Sequence, residues 1–322
     1  MNNVTDLLDL MICHIPGLRG NERVELQKKF DKVEDFSILS NKDIESLLGR
    51  PLFNKRWEMA KIRVMAEKDA AGVLKFGIRL VSYREEAYPP LLREIFDPPA
   101  LLLYRGRLPD PEKPLAAVVG TRKPSSAAAG RAFALGRELG EAGIPVVSGL
   151  ALGIDSMAHR GNLEGRAPTV AVLGSGPEQV YPSSNRDLAR RILEAGGLVL
   201  SEYPPGTPPY KTNFPARNRI ISGLARGTVV VEAPEKSGAL ITARFALDQN
   251  RDLWVDEVGV NSSRGAGTAR LVEEGAKRIR SVQDILEEWN ISGPSSKRKE
   301  DATASAGAGL ASSMAEYLDI KV

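Results

Sequence analysis

At 322 residues the chain is longer than one ordinary domain, and with 42% hydrophobic and 26% charged residues it can bury substantial cores in water. No uncharged apolar run approaches the roughly 18 residues of a membrane span, and the neutral to acidic start Met1–Asp6, followed by an apolar stretch broken at Asp9, suits neither a signal nor a transit peptide, so a cytoplasmic location without a membrane partner is expected. One cysteine (Cys13) and two histidines (His14, His159) exclude an intrachain disulfide and a Cys/His metal cluster, no cofactor is expected, and a net charge of +3 commits the chain to no polyanionic partner by itself.

Residues 1–75 predict a small all-helical domain. Apolar residues recur at helical spacing through Leu7, Leu8, Leu10 and Met11, then Val24, Leu26 and Phe30, then Ile44, Leu47 and Leu48. Turns at Ile15–Gly20 and Leu48–Pro51 separate them. A Pro-Gly turn between two helices resembles a helix-hairpin-helix unit, whose backbone N–H groups can hold a phosphate; a purely structural turn fits equally.

From Leu80 the pattern changes to strands alternating with helices, with Pro89, Pro90, Pro98 and Pro99 punctuating the lead-in, and a second domain is expected over 76–290. Strands are predicted at 115–119, 144–148, 169–173, 198–201 and 228–232, and helices at 126–140, 185–195 and 238–249. Leu253-Trp254-Val255 is expected to add an edge strand. Continuous β-branched runs with helices between them imply an α/β fold, a mainly parallel sheet covered on both faces, with ligands beyond the strand C-termini. Over 291–322 the chain is too poor in large apolar groups to offset its ordering entropy, so a disordered or weakly helical tail is expected, with a marginal helix over 310–318.

The loops at the predicted strand ends share a character. Gly120-Thr121-Arg122-Lys123 combines close backbone approach with a guanidinium suited to phosphate. Ser148-Gly149-Leu150-Ala151-Leu152-Gly153-Ile154-Asp155 leads into a helix that Asp155 is expected to N-cap, with His159 one turn on and able to pair with it. Leu173-Gly174-Ser175-Gly176 and Ser237-Gly238-Ala239 are further small-residue turns. Within Asn213–Leu224, Phe214 adjoins Arg217, Asn218 and Arg219, an aromatic face beside cations; the same Phe fits equally well as a core residue.

In their order these stretches resemble the DNA-processing protein A (DprA/Smf) family over roughly residues 80–280. The blocks are G-T-R at Gly120–Arg122, S-G-L-A-L-G-I-D at Ser148–Asp155 with Ala158-His159, V-L-G-S-G at Val172–Gly176 and Y-P-S-S-N at Tyr181–Asn185. They continue as S-E-Y-P-P-G at Ser201–Gly206, F-P-A-R-N-R-I-I-S-G-L at Phe214–Leu224, V-V-E-A at Val230–Ala233 and S-G-A-L-I-T-A at Ser237–Ala243. The resemblance implies an extended Rossmann-like, doubly wound domain that forms a homodimer, binds single-stranded DNA and loads the RecA recombinase in natural transformation, with no catalysis. It also implies that the N-terminal helices are a sterile-alpha-motif-like domain. The DNA-binding residues expected on these grounds are Gly120, Thr121, Arg122, Lys123, Ser148, Gly149, Gly153, Asp155, Gly174, Phe214, Arg217, Asn218, Arg219, Ser237 and Gly238. Arg122→Ala and Arg219→Ala are each expected to weaken binding and flatten its salt dependence.

Two departures from the family pattern stand out. Trp254-Val255-Asp256-Glu257-Val258-Gly259 replaces a strand, Pro-Gly and serine-rich loop, adding two carboxylates that put a phosphate contact there in doubt, and residues 291–322 are too short and polar for a winged helix. The competing class is a phosphoribohydrolase resembling the cytokinin-activating LOG enzymes. Its P-G-G-x-G-T-x-x-E loop, with a carboxylate for acid/base work, is replaced here by Ser237–Ala243, and Glu232 reads as a strand end. No G-x-G-x-x-G follows the first strand, and no activated serine accompanies His159 and Asp155.

Overall fold

The computed structural model describes residues 3–52 and 57–291; the expected tail beyond residue 291, with its marginal helix at 310–318, lies outside the described residues. The chain divides into two units, Met1–Val282 and Gln283–Val322.

The N-terminal apolar periodicity becomes helices α1 (Asn3–His14), α2 (Gly20–Lys29), α3 (Val33–Ser37), α4 (Asn41–Leu48) and α5 (Met59–Lys75). Leu8, Met11 and Ile12 of α1 pack with Leu26, Phe36, Ile44 and Ile62 in one buried cluster, as i, i+3, i+4 spacing requires. Ser40 and Asp43 form a capping box that starts α4, and Gly49, at φ +67°, ends it in the left-handed conformation that favours glycine. The same cluster takes in Ile78 and, from the sheet, Leu101 and Leu103, so the helices cover one end of the β-structure. Buried Gln27 reinforces this contact, donating to Asp9 (2.9 Å) and to the Ala100 carbonyl (3.0 Å). The predicted phosphate position at the Pro-Gly turn is already filled: the Gly20 N–H that opens α2 donates to Asp97 Oδ1 at 2.6 Å.

The remaining elements are β1 (Arg79–Ser82), α6 (Pro90–Arg93), β2 (Leu101–Gly106), β3 (Ala116–Val119), α7 (Ser126–Glu141), β4 (Val146–Ser148), α8 (Ile154–Glu164) and β5 (Val170–Val172). A 3-10 turn at Ser183–Asn185 precedes α9 (Arg186–Glu194), then β6 (Leu198–Ser201), α10 (Asn213–Leu224), β7 (Gly227–Val230) and α11 (Gly238–Asp248). The order closes with β8 (Asp252–Asp256), α12 (Glu257–Val260), α13 (Ala266–Glu273), β9 (Lys277–Ile279) and α14 (Val282–Glu288). Among the described residues, nine strands form one sheet in the order β1-β2-β6-β5-β4-β3-β7-β8-β9. From β6 to β9 all pairings are parallel, whereas β2 runs antiparallel to both β6 and β1. No described helix is long and apolar enough to cross a membrane.

The expected mainly parallel, Rossmann-like sheet is therefore present, with three differences. Leu253–Val255 belongs to an interior strand, because β9 pairs on its outer side. Asn213–Leu224, which carries no clear helical signal in sequence, is a helix with Pro215 in its first turn, where a missing N–H costs nothing. The antiparallel β1–β2 pair extends the sheet beneath the N-terminal helices.

Helices α7 and α8 pack with backbone in contact. A Cβ on Gly136 would stand 2.3 Å from the Ala158 carbonyl oxygen, and one on Gly161 would stand 2.0 Å from that of Phe133, so only glycine permits the approach. Fully buried Asn162 locks the junction, donating to the Gly136 and Ile144 carbonyls (3.0 Å each) and accepting from the Val146 N–H (2.9 Å). This places α8, with Asp155 and His159, rigidly beneath the C-terminal edge of the sheet.

Candidate functional site

The chain passes from β3 to β4 on one side and returns through α10 to β7 on the other, so the strand order reverses between β4, β3 and β7. Loops leaving β3 and β7 therefore diverge and leave a crevice at the strand C-termini, the usual ligand position in open α/β sheets. A cavity of about 650 Å³ opens there, lined by Gly120–Arg122 after β3, by Phe214, Arg217 and Asn218 of α10, and by Ser237 and Gly238 at the start of α11.

One wall is aromatic. Phe214 is half-buried and its ring lies 5.5 Å from that of Tyr181, tilted by 42°, while Tyr181 is 46% exposed. The Arg122 guanidinium sits 5.7 Å from the Phe214 ring centroid, in cation–π range. Buried Gly174 backs this wall: a Cβ there would stand 3.0 Å from the Phe214 ring, and the Gly174 carbonyl accepts from Asn213 Nδ2 at 3.0 Å. Lys211 and Lys236, both exposed and lining the same cavity, escaped the sequence reading because each is a single lysine in a turn with no accompanying motif.

The floor is a buried polar cluster. Asp155 does not cap α8, whose N-cap is Gly153; its carboxylate instead accepts from the Gly149 and Ala151 N–H groups at 3.1 and 3.4 Å. Burial pushes its carboxyl above the usual range, against the pull of the neighbouring Arg217. Arg217 itself is 3% exposed and donates to the Val172 carbonyl, and burial lowers its pKa to about 10. A Cβ on Gly149 would stand 2.5 Å from that guanidinium, so glycine here makes room for the arginine. His159 does not pair with Asp155. Its Nδ1 lies 2.7 Å from Thr169 Oγ1, and burial, with Arg217 nearby, pushes its pKa down to about 3, so the ring is neutral. Ser148 is also below the surface, donating to the Val118 carbonyl at 2.7 Å.

Two loops of the rim are held by one carboxylate. Glu232 lies past the end of β7 and is fully buried. It accepts from the Ser125 N–H and Oγ at 2.8 Å each and from Ser262 Oγ, while its backbone oxygen accepts from the Thr121 N–H at 2.7 Å. Gly153, at φ +75°, seats the next loop directly on the Thr121 carbonyl. On the α11 side, Asn218 Nδ2 donates to the Gly238 carbonyl at 3.2 Å, and Ser237 caps the helix.

Of the expected contacts, Gly120, Thr121, Arg122, Phe214, Asn218, Ser237 and Gly238 come together at the cavity, and exposed Lys123 adjoins it. Asp155 and Arg217 form its floor, while Ser148, Gly149, Gly153 and Gly174 support it from behind. Arg219 is displaced from the group. Two residues from Arg217 on a helix, it projects from another face of α10, where Nη2 meets Glu202 at 2.5 Å and Nε meets Asp97 at 3.2 Å. Since Asp97 also caps the α2 turn, Arg219 joins the core to the N-terminal helices rather than facing the cavity. The two carboxylates that departed from the family pattern are likewise turned away. Asp256 is buried against Arg131 Nε at 2.7 Å and caps α12, and Glu257 pairs with Arg280 at 3.1 Å.

Residues 79–290 match the family model described as DNA recombination-mediator protein A. The chain is 32% identical to Protein Smf of Borreliella burgdorferi over 91% of either chain. It is 44% identical to Protein Smf of a Synechocystis strain over 62% of this chain, a match spanning 51% of that protein. The crystal structure of DNA processing protein A from Streptococcus pneumoniae superposes with a TM-score of 0.73 at 35% identity, covering 88% of this chain and 97% of the other. The solved structure of Helicobacter pylori DNA processing protein A, whose single-stranded DNA binding mode is described, gives 0.59 at 30% identity over 67% of this chain and 96% of the other. With the match running from β1 through α14, the chain belongs to the DNA recombination-mediator protein A family.

Proposed function

We propose that this protein binds single-stranded DNA in the crevice at the sheet's C-terminal edge and, as a cytoplasmic homodimer, hands the strand to a RecA recombinase without chemically altering it. The observation that carries the reading is the pairing of an aromatic wall, half-buried Phe214 and exposed Tyr181, with Arg122, Lys211 and Lys236 around one cavity of about 650 Å³. Bases of a single strand can stack on such a wall while the cations meet phosphates; a duplex keeps its base faces covered. The acids support the same reading. Asp155 and Glu232 are buried and held by backbone N–H or serine hydroxyl donors, so neither offers a solvent-facing carboxylate for a hydrolase. The DNA-binding mode of the Helicobacter pylori relative and the family membership support DNA as the ligand; RecA transfer and the homodimer follow from the family resemblance.

The test is a titration of fluorescent single- and double-stranded oligonucleotides at two salt concentrations. Preferential, salt-sensitive and largely sequence-indifferent binding of the single strand is expected. Equal affinity for duplex, or release of free base from nucleoside monophosphates, would refute the reading. For the later step, the protein should shorten the lag of RecA assembly on single-stranded DNA, and sedimentation should give twice the chain mass.

A further inference from the structure

The loop after α12, Asn261–Gly265, stands on the opposite side of the β3 loop from the aromatic wall. Its inner side is tied down: Ser262 Oγ donates to buried Glu232 and accepts from the Arg264 N–H at 3.1 Å. Its outer side carries Arg264, which is exposed and whose Nη1 donates to the Lys123 carbonyl at 3.3 Å. Lys123 is exposed too and follows directly on Arg122 at the lip of the cavity. Among the described residues none of Arg122, Lys123 and Arg264 has an acidic partner. Glu232, which holds the inner side of this loop, and Asp256, which caps α12 before it, are buried and engaged by Ser125, Ser262 and Arg131.

We infer that Arg264, with Lys123, forms a second phosphate-binding station that continues the DNA path from the crevice across the β3 loop onto the Asn261–Gly265 loop. This rests on the proposed single-strand reading and deepens it by giving the strand a direction of exit. The inference follows from where charge is placed: exposed cations reaching outward from the cavity, above the buried and engaged carboxylates of Glu232 and Asp256, attract the next phosphate of a chain seated in the crevice. It also accounts for the tolerance of Asp256 and Glu257 in this chain, since neither carboxylate faces that row.

The experiment measures the salt dependence of binding for thymidine oligomers of about 4 to about 16 nucleotides with the wild type, Arg264→Ala and Arg264→Lys. For the longest oligomer, Arg264→Ala is expected to lower the log–log salt slope by about 0.7 and the affinity about fivefold at 0.1 M salt, as removal of one phosphate contact requires. The shortest oligomer should bind it like the wild type, and Arg264→Lys should retain the slope. Three results would overturn the inference: an unchanged slope at every length, an equal loss on the shortest oligomer, or a Lys variant as weak as the Ala variant. The last would mean that the bond to Lys123 shapes the loop. In any of these cases a wild type that still prefers single strands leaves the crevice reading standing; a wild type that binds none removes both.

Discussion

Arg122 and Arg219 look alike in sequence, each a basic residue beside a glycine- or asparagine-containing turn, yet their surroundings separate them. Arg122 is exposed over the Phe214 ring, so Arg122→Ala should weaken single-strand binding about fivefold at 0.1 M salt and lower the slope by about 0.7. Arg219→Ala should leave that slope unchanged and instead destabilise the fold by about 3–5 kcal/mol, because Glu202 and Asp97 lose a buried partner; urea unfolding of both variants checks the division. Phe214→Ala should cost about 1–3 kcal/mol of affinity, the worth of one stacked base, without changing the salt slope. His159 bears on stability. An unfolded chain takes up a proton at the ordinary pKa of 6.5, whereas the buried ring resists until about 3, so stability is full above 6.5 and falls as the pH drops through that window. His159→Gln should flatten the decline in melting temperature between these limits.

At the level of elements, the rim is made of loops whose positions are set from below. Glu232 bridges the loops entering α7 and α13, and the Asp155 carboxylate draws the Gly149–Ala151 backbone down onto α8. These anchors depend on the close seating of α7 against α8. Asn162→Ala, which leaves two carbonyls and one N–H buried without their partner, should cost roughly 3 kcal/mol in urea unfolding. The strand runs 115–119, 198–201 and 228–232 were legible because β-branched residues in short continuous runs suit a strand covered on both faces. Helix α10 was not, because Pro215 and the Asn/Arg sequence mask its period; its buried aliphatic residues Ile220, Ile221 and Leu224 fall only in its second half.

Across the whole molecule the modest net charge is sorted by depth. Asp155, Glu232 and Asp256 at the strand C-termini are turned inward onto backbone, serine or arginine donors, while Arg122, Lys123, Lys211 and Lys236 are left at the surface, so a chain of net charge +3 presents a locally cationic crevice. For an oligomer short enough to stay among Arg122, Lys211 and Lys236, the log–log salt slope should be about −2, and fluorescence anisotropy at several salt concentrations measures it. The sequence by itself determined the parallel sheet and the glycine-bearing loops at the C-terminal ends of its strands, because hydrophobic period and glycine placement are local properties of the chain. Only the tertiary structure decided which arginine lines the cavity and which is consumed in an internal ion pair, that Lys211 and Lys236 line the same cavity, and that Asp256 and Glu257 are turned away from it. Those outcomes depend on partners distant in sequence, such as Asp97 for Arg219 and Arg131 for Asp256, and no local pattern encodes them.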